Sequence, residues 1–181
     1  MNHDTNVPAR PISPDPSRAV DPMLFRDGMR KLASGVALVT TRSDAGPAGL
    51  AATAVSSVSF DPPSLLVCVN KSASAHDPIV TEGRFTVNVL STEHGEVLDA
   101  FARSRSRAER FAHADWGSTA SGLPSLTTAL AVFECSVTQR LEYGTHSIIV
   151  GNVVDASNDP GATEPMIYLD RQTRALAVAP S

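Results

Sequence analysis

The spacing of apolar residues changes from helical to strand-like near residue 35, and this change predicts a mainly β chain. Phe25, Met29 and Leu32 repeat at helical intervals. The preceding Asp21-Pro22 is typical of a helix start, and Gly35 is the expected stop. We therefore expect one helix before a run of strands.

The segments after Gly35 have the β-branched and alternating character of strands. Residues 36–41 (VALVTT) followed by the turn cluster at 43–47 predict a hairpin. Further strands are expected at residues 48–58, 65–69, 85–90, 131–141, 147–154 and 166–169, and short helices at 79–82 and 96–103. Many strands, few helices and no regular βα alternation favour a small closed β-barrel with a few helices.

Two of these strands show the alternation of a half-buried antiparallel sheet. Residues 85–89 (FTVNV) alternate apolar and polar positions. In residues 132–141, Phe133 and Cys135 lie on one predicted face, whereas Glu134 lies on the other. We expect the apolar faces to fill the barrel.

Composition and length predict one folded domain with a tail. The chain has 181 residues, 42% of them apolar, and a net charge of -4. Residues 1–20 carry four prolines among polar residues, which predicts a poorly ordered tail, or alternatively an arm that embraces a partner subunit. The domain is expected at residues 21–175. The acidic balance argues against nucleic-acid binding, and no secretory signal or membrane-length apolar run is evident. We expect a soluble, cytoplasmic protein.

Common nucleotide and metal motifs are missing from the sequence. It contains neither GxGxxG nor a Walker-type GK[ST]. Cys68 and Cys135 form no CxxC pair and have no metal-ligand spacing. We interpret both cysteines as buried small hydrophobes and predict no metal site.

Residues 51–63 are the first candidate for a binding site. They combine small residues, hydroxyl groups and a rigid Asp-Pro-Pro stop. Small side chains would let a flat ring approach the backbone, and alternate hydroxyls suit a ribityl chain. A small-residue strand packed tightly against a neighbour explains the same composition, so composition alone leaves both interpretations open.

The order of the segments from this stretch onward resembles the short-chain NAD(P)H:flavin reductase family. The similarity covers residues 23 to 169. The segments that carry it are SVSFDPP (57–63), NKSAS (70–74), GRFTVNVL (83–90), FA (101–102), ERF (109–111) and GTHSIIVG (144–151).

The resemblance implies an FMN-binding split barrel with Greek-key-like topology. It also implies reduction of FMN or FAD by NADH or NADPH, a homodimer with the flavin site at the subunit interface, and an oxygenase partner that receives the reduced flavin. The flavin contacts that it implies are Gly35, Val36, Ala51, Ala52, Thr53, Ala54, Ser57, Cys68, Val69, Asn70, Ser74, Phe101 and Ala102. The family's usual Thr-Ala-Asn-Ser is Ala51-Ala52-Thr53-Ala54 here, which shifts flavin binding towards the backbone and Thr53.

His146 follows Tyr143-Gly144 at the start of a predicted strand. A single histidine there is commonly a surface or capping residue. The resemblance instead implies that His146 lines the nicotinamide side of the flavin and orients the carboxamide. The family's Gly-Asp-His is Gly144-Thr145-His146 here, so a neighbouring carboxylate is missing.

Two polar segments are candidates for phosphate recognition. Residues 70–78 precede a short helix, and Ser74 with nearby amides would contact the phosphate-bearing tail of the flavin; alternatively this is a solvated turn that caps the helix. We interpret His76 as a helix-capping residue. The arginine series is either a solvated face or a phosphate site, and it comprises Arg103, Arg105, Arg107 and Arg110. Trp116 is expected in a loop, at the edge of a cavity.

Two functions other than flavin reduction also fit these residues. One is a non-catalytic flavin carrier or sensor on the same barrel. The other is a redox-inert dimeric scaffold, suggested by the methyl groups of Ala51 and Ala54.

Overall fold

A computed structural model describes residues 19–103, 106–158 and 164–176. Residues 1–18 of the predicted tail lie outside the described residues. The helices are α1 Pro22–Met29, α2 His76–Glu82, α3 Gly95–Arg103 and α4 Arg107–Arg110, with a short 3-10 helix at Thr92–His94. Among the described residues, no helix is long and apolar enough to cross a membrane.

The twelve described strands give the chain its mainly β character. They are β1 Ser34–Gly35, β2 Ala37–Ser43, β3 Gly46–Ala52, β4 Val55–Phe60, β5 Pro63–Asn70, β6 Arg84–Val89, β7 Trp116–Ser118, β8 Pro124–Leu126, β9 Ala131–Tyr143, β10 His146–Asn158, β11 Ile167–Leu169 and β12 Gln172–Arg174. Seven of them form one antiparallel sheet in the order β3-β2-β6-β9-β10-β5-β4.

The first helix begins where the sequence predicts and ends earlier. The Asp21 side chain accepts a hydrogen bond from Met23 N at 2.8 Å, as expected of an N-cap. The helix ends at Met29, however, and Gly35 lies in β1, so the predicted stop at Gly35 is wrong. The amides of Lys31 and Leu32 donate hydrogen bonds to the carbonyls three residues earlier, so the α-helix ends in a tighter turn of the 3-10 type.

The predicted strand at residues 48–58 is two strands. The chain leaves β3 at Ala52, turns through Thr53 and Ala54, and enters β4 at Val55. β3 pairs with β2 at one end of the sheet order, whereas β4 pairs with β5 at the other end. The turn therefore carries the chain across the closure of the barrel, where β3 also contacts β5. The predicted β-barrel is confirmed.

The barrel interior is apolar and tightly packed. Val67, Phe85 and Ile149 are fully buried there. A Cβ atom on Gly151 would lie 2.9 Å from both Cys135 Cβ and the Phe85 ring, so only glycine fits at this position. α2 packs against β2 and β6, and its Ile79 belongs to the same core.

The polar face of β6 is buried, so the predicted half-exposure of this strand is wrong. Thr86 and Asn88 are fully buried beneath the β7–β8 hairpin, which the sequence did not predict. Leu126 N donates to Asn88 Oδ1 at 2.8 Å, and Asn88 Nδ2 donates to Leu38 O at 3.0 Å. These bonds satisfy the buried amide and fix the hairpin on the barrel.

The two cysteines are free thiols in different surroundings. Cys135 is buried, as predicted, whereas Cys68 is only half-buried. Burial raises the pKa of the Cys135 thiol to about 12. Among the described residues, no group of three or more His, Cys, Asp or Glu could hold a metal ion.

Candidate functional site

The turn between β3 and β4 is the centre of the candidate site. We call residues 51–54 the corner. Ala52 is buried, Ala51 is half-buried, and Thr53 and Ala54 are exposed. The corner is joined to β5 by a hydrogen bond from Cys68 N to Ala54 O at 3.0 Å. The exposed part of the corner thus carries only small side chains.

A cleft of about 690 Å³ lies beside the corner. It is large enough for a flat ring system. Five of the predicted flavin contacts line it together, namely Val36, Ala51, Ala52, Thr53 and Ala102. The structure thus brings together residues as far apart in the chain as Val36 and Ala102.

The same cleft has a second wall that the sequence did not suggest. Its residues come from the hairpin of β11 and β12, namely Tyr168, Arg171, Gln172 and Thr173. Asp170 and Arg171 have positive φ angles of 50° and 67°, which most side chains avoid. This turn contains no glycine and lies more than 100 residues from the corner in the chain. The sequence therefore gave no sign that the turn lies beside the corner.

The predicted contacts on β5 separate according to strand alternation. Val69 points into the barrel and is fully buried, so only its backbone can face a ligand. Cys68 and Asn70 lie on the opposite, outer face. His146 pairs with Asn70 across the β5–β10 ladder.

His146 is the first residue of β10 and is exposed, at the predicted strand start. Its Nδ1 lies 2.9 Å from Thr145 Oγ1. The register of the hairpin between β9 and β10 puts Tyr143 directly opposite His146. The imidazole is therefore presented to solvent beside the outer face of β5.

Ser74 lies before α2 and contacts Arg110. Arg110 Nη1 donates to Ser74 Oγ at 2.9 Å and lies 3.4 Å from Gly49 O in β3. We call Ser74 and Arg110 the phosphate end of the site. A guanidinium beside a hydroxyl group suits an anionic oxygen.

The other described members of the arginine series have different partners. Arg103 pairs with Asp99 at 3.2 Å on an exposed face of α3. Arg107 Nη1 donates to Ser43 Oγ at 2.8 Å. Arg105 lies outside the described residues. The structure thus separates Arg110 from Arg103 and Arg107.

Three aromatic rings cover the outer side of β3. Phe101 is buried, with its ring 5.2 Å from Phe111 and 5.9 Å from Trp116. Gly49 allows this packing, since a Cβ there would lie 2.9 Å from Phe101 Cε1. Phe101 therefore supports the site from beneath. Trp116 lies on β7 within this cluster, and the loop predicted for it is wrong.

Gly35 and Ser57 face a different surface. They line an apolar groove of about 520 Å³, which also includes Phe60, Leu65 and Val153. Val36 lines both the groove and the cleft. The predicted flavin contacts are thus divided between two adjoining surfaces.

The sequence predicts that His76 caps α2, and this prediction is wrong. The N-cap position is Ala75, and α2 has no side-chain cap. His76 is the first helical residue and is buried, with its Nε2 2.8 Å from Ser147 Oγ. Its two ring nitrogens contact Asp77 and Ser147, so neither is directed to the amides at the helix start.

The hairpin that carries His146 has a charged anchor. The Ser147 hydroxyl holds the pKa of Glu142 below its ordinary value, and Lys71 and Arg140 act in the same direction. Lys71 Nζ lies 3.3 Å from Glu142 Oε2. Glu142 is therefore a carboxylate at neutral pH.

Comparison with known proteins identifies the family. The model of the flavin reductase like domain matches residues 29–177. An FMN reductase (NADH), RutF 2 of Methylorubrum extorquens, is 41% identical over 165 residues, covering 91% of this chain and 95% of the relative. An FMN reductase (NADH), RutF of Pseudomonas syringae, is 40% identical and covers 87% of this chain and 88% of its own length.

Solved structures agree with these relatives. A putative flavin reductase from Haemophilus somnus has a TM-score of 0.83 at 36% identity, over 87% of this chain and 100% of that chain. An NADH:FAD oxidoreductase from Streptomyces globisporus has a TM-score of 0.81 at 30% identity, over 94% of this chain and 98% of that chain. The resemblance inferred from the sequence is confirmed, and the chain belongs to the family of flavin reductase like domains.

Proposed function

We propose that this chain transfers a hydride from NADH to FMN and releases the reduced flavin to a partner oxygenase. Reduction of a flavin by a nicotinamide nucleotide is the activity of its family. The observation that carries the choice of site is the cleft at the corner, which opens beside backbone bordered by methyl groups. FMN and NADH are proposed because both RutF relatives are named FMN reductase (NADH).

The corner is the proposed site of the flavin ring. Ala51 and Ala54 carry only methyl groups, so the polar edge of the ring would pair with backbone groups and with Thr53. A bulkier residue at position 51 would project into the cleft that Val36 and Ala102 also line. Binding here would depend on shape and apolar burial.

The phosphate end is the proposed site of the FMN phosphate. Arg110 offers a permanently charged, planar donor group, and Ser74 adds a hydroxyl at 2.9 Å from it. Both residues adjoin β3 through the contact of Arg110 with Gly49 O. Asn70 and Cys68 would lie between this end and the ring.

His146 is proposed to orient the nicotinamide. Hydride transfer between the two rings requires face-to-face stacking, so positioning contributes more than acid–base chemistry. The hydride carries the electron pair to the flavin, which takes one further proton from solvent. His146 is exposed and lies on the outer face shared with Asn70, where a second ring can approach.

A homodimer is part of the proposal. Phe60 lines the apolar groove and is 94% exposed. Val154 is 59% exposed on β10, and α1 exposes Leu24 and Phe25. Large apolar patches of this kind mark interfaces. Because Gly35 and Ser57 line the groove, a second copy seated there would complete the flavin contacts that a single chain divides between two surfaces. A cytoplasmic location and a domain at residues 21–175 stay predictions.

Steady-state oxidation of NADH and NADPH, each with FMN and FAD, tests the proposal. The highest kcat/KM is expected for NADH with FMN. If no pair of nicotinamide and flavin turns over above the uncatalysed rate, the proposed enzymatic activity is refuted. A stoichiometric flavin that is retained without turnover would support the non-catalytic flavin carrier instead. Light scattering during gel filtration should give twice the chain mass, and Phe60→Asp should give one chain mass.

A further inference from the structure

A chain of short hydrogen bonds connects the start of α2 to the hairpin that carries His146. His76 Nε2 lies 2.8 Å from Ser147 Oγ, and Ser147 Oγ donates to Glu142 Oε1 at 2.9 Å. His76 Nδ1 lies 2.8 Å from Asp77 Oδ1. His76 is 7% exposed and Ser147 is fully buried, so bulk water does not compete for the contact between them. The carboxylates at the two ends are accessible to water, since the side chains of Asp77 and Glu142 are 90% and 42% exposed.

The protons in this chain can be assigned from its chemistry. Glu142 is ionised, because the Ser147 hydroxyl and the cations Lys71 and Arg140 hold its pKa below the ordinary value. A carboxylate only accepts, so the single proton of the Ser147 hydroxyl is used on Glu142. His76 Nε2 must therefore carry a proton and donate it to Ser147 Oγ.

The sequence of contacts Asp77–His76–Ser147 has the spacing of a hydrolytic triad, but it cannot act as one. The Ser147 side chain is fully buried against His76, the first residue of α2. Its hydroxyl proton points to Glu142 and away from the imidazole. The arrangement therefore serves to hold two parts of the structure together.

One of those parts is the His146 hairpin. Ser147 and His146 are neighbours whose side chains point to opposite faces of β10. Glu142 pairs with Ser147 in the register of the hairpin, and Tyr143 pairs with His146. Lys71 N also donates to Thr145 O at 3.0 Å. The turn is thus held from α2 on one side and from the end of β5 on the other.

The other part is the phosphate end. Ser74, which contacts Arg110, precedes His76 by two residues in the same tight turn. The amide of His76 bonds Ala73 O at 2.9 Å, which makes the segment rigid. One buried imidazole therefore links the proposed phosphate contact to the proposed nicotinamide contact.

We propose that His76 is a positioning residue for hydride transfer, which through Ser147 fixes the His146 hairpin relative to the phosphate end. This inference rests on the proposed function. It assigns His76 no contact with either substrate. Its contribution is to keep the nicotinamide side of the site at a fixed distance from the flavin side.

Two amide substitutions at His76 distinguish the loss of its contact with Ser147 from a general loss of packing. His76→Gln places an amide nitrogen near the position of Nε2, so it can still donate to Ser147. His76→Asn is shorter and can reach only the Asp77 side. His76→Asn should raise the KM for NADH, or lower kcat, by roughly tenfold or more, because small displacements in stacked reactants are costly. His76→Gln should recover most of this loss.

Ser147→Ala gives a second disruption of the same contact, and it also removes the bond from Ser147 to Glu142. Its NADH defect should be at least as large as that of His76→Asn, and the double variant should be no worse than Ser147→Ala alone, since the contact between His76 and Ser147 is then already lost. The Kd for FMN, measured by flavin fluorescence, should stay within about twofold of the native value. This binding also verifies that each variant is folded.

His94→Asn is the matched control. His94 is a buried histidine whose Nδ1 and Nε2 contact Ser91 and Thr128, away from the hairpin. It should lower the melting temperature without raising the KM for NADH. Equal NADH defects in His76→Gln and His76→Asn, an equal defect in His94→Asn, or native kinetics in Ser147→Ala would each overturn the inference. Absence of NADH turnover in the native protein would instead refute the proposed function.

Discussion

The two ends of the candidate site are built from opposite chemistry. The corner offers methyl groups and backbone at Ala51 and Ala54, whereas the phosphate end offers a guanidinium and a hydroxyl at Arg110 and Ser74. In the proposed binding mode, affinity at the corner would depend on fit and apolar burial, and affinity at the phosphate end would depend on charge. The comparison teaches that ring recognition and phosphate recognition should respond independently to substitution.

Ala51→Phe should have the largest effect and disrupts the corner alone. A phenyl group at position 51 would occupy the cleft between Val36 and Ala102, so the Kd for FMN should rise by roughly 100-fold. Riboflavin, which lacks the phosphate, should lose the same factor. Flavin fluorescence titration measures both.

Ala51→Thr is the matched control, since it restores the hydroxyl that the family usually has at this position. It should leave the Kd for FMN unchanged or lower it by up to about tenfold, the range of one net hydrogen bond. Unchanged FMN binding by Ala51→Phe would show that the ring does not lie at the corner.

Arg110→Ala disrupts the phosphate end alone. Loss of a charge-assisted hydrogen bond should raise the Kd for FMN by roughly tenfold or more, while the Kd for riboflavin stays within about twofold. Arg103→Ala is the control from the same arginine series, because Arg103 pairs with Asp99 on an exposed face. Equal losses for FMN and riboflavin would mean that Arg110 supports the fold and does not bind phosphate.

His146→Ala tests whether the nicotinamide side is separate from both ends. It should raise the KM for NADH or lower turnover by about tenfold, because a loosely held nicotinamide stacks less often on the flavin. The Kd for FMN should be unchanged. A collapse of FMN affinity would instead place His146 against the flavin.

Thiol labelling gives the smallest change and refines the position of the corner. Burial raises the pKa of Cys135 to about 12, so at pH 8 its thiol should stay protonated and unreactive in the folded protein. Cys68, half-buried and joined to the corner, should be alkylated slowly. Bound FMN should slow this further, as mass spectrometry of the labelled peptide would show. Labelling of Cys135 before Cys68 would contradict the described burial.

The structure also explains which elements the sequence could not predict. The alternation in residues 132–141 correctly put Glu134 on the outer face, but Glu134 is 3% exposed because the region before β8 covers that face. Alternation reports which side a residue occupies, not whether another element covers that side. For the same reason, the alternation in β6 wrongly predicted that Thr86 and Asn88 are exposed.

Local signals were sufficient for elements that depend on neighbouring residues. The hairpin of β2 and β3, the N-cap at Asp21 and the α3 helix follow from turn residues and spacing, and all three are found. The interruption between β3 and β4 at Thr53 and Ala54 contains no proline or glycine that would have predicted it. It arises because the two halves of the predicted strand pair at opposite ends of one sheet, which is a property of barrel closure.

The sequence by itself determined the β-barrel class, the family and the composition of the corner, because strand periodicity and ordered motifs are local properties of the chain. Only the tertiary structure decided that residues 51–54 form a corner beside a cleft, that Tyr168 and Arg171 form its second wall, and that Arg110 rather than Arg103 or Arg107 reaches Ser74. It also decided that His76 is a buried link to Ser147. These contacts join residues that are distant in sequence, and the closure of the barrel brings them together.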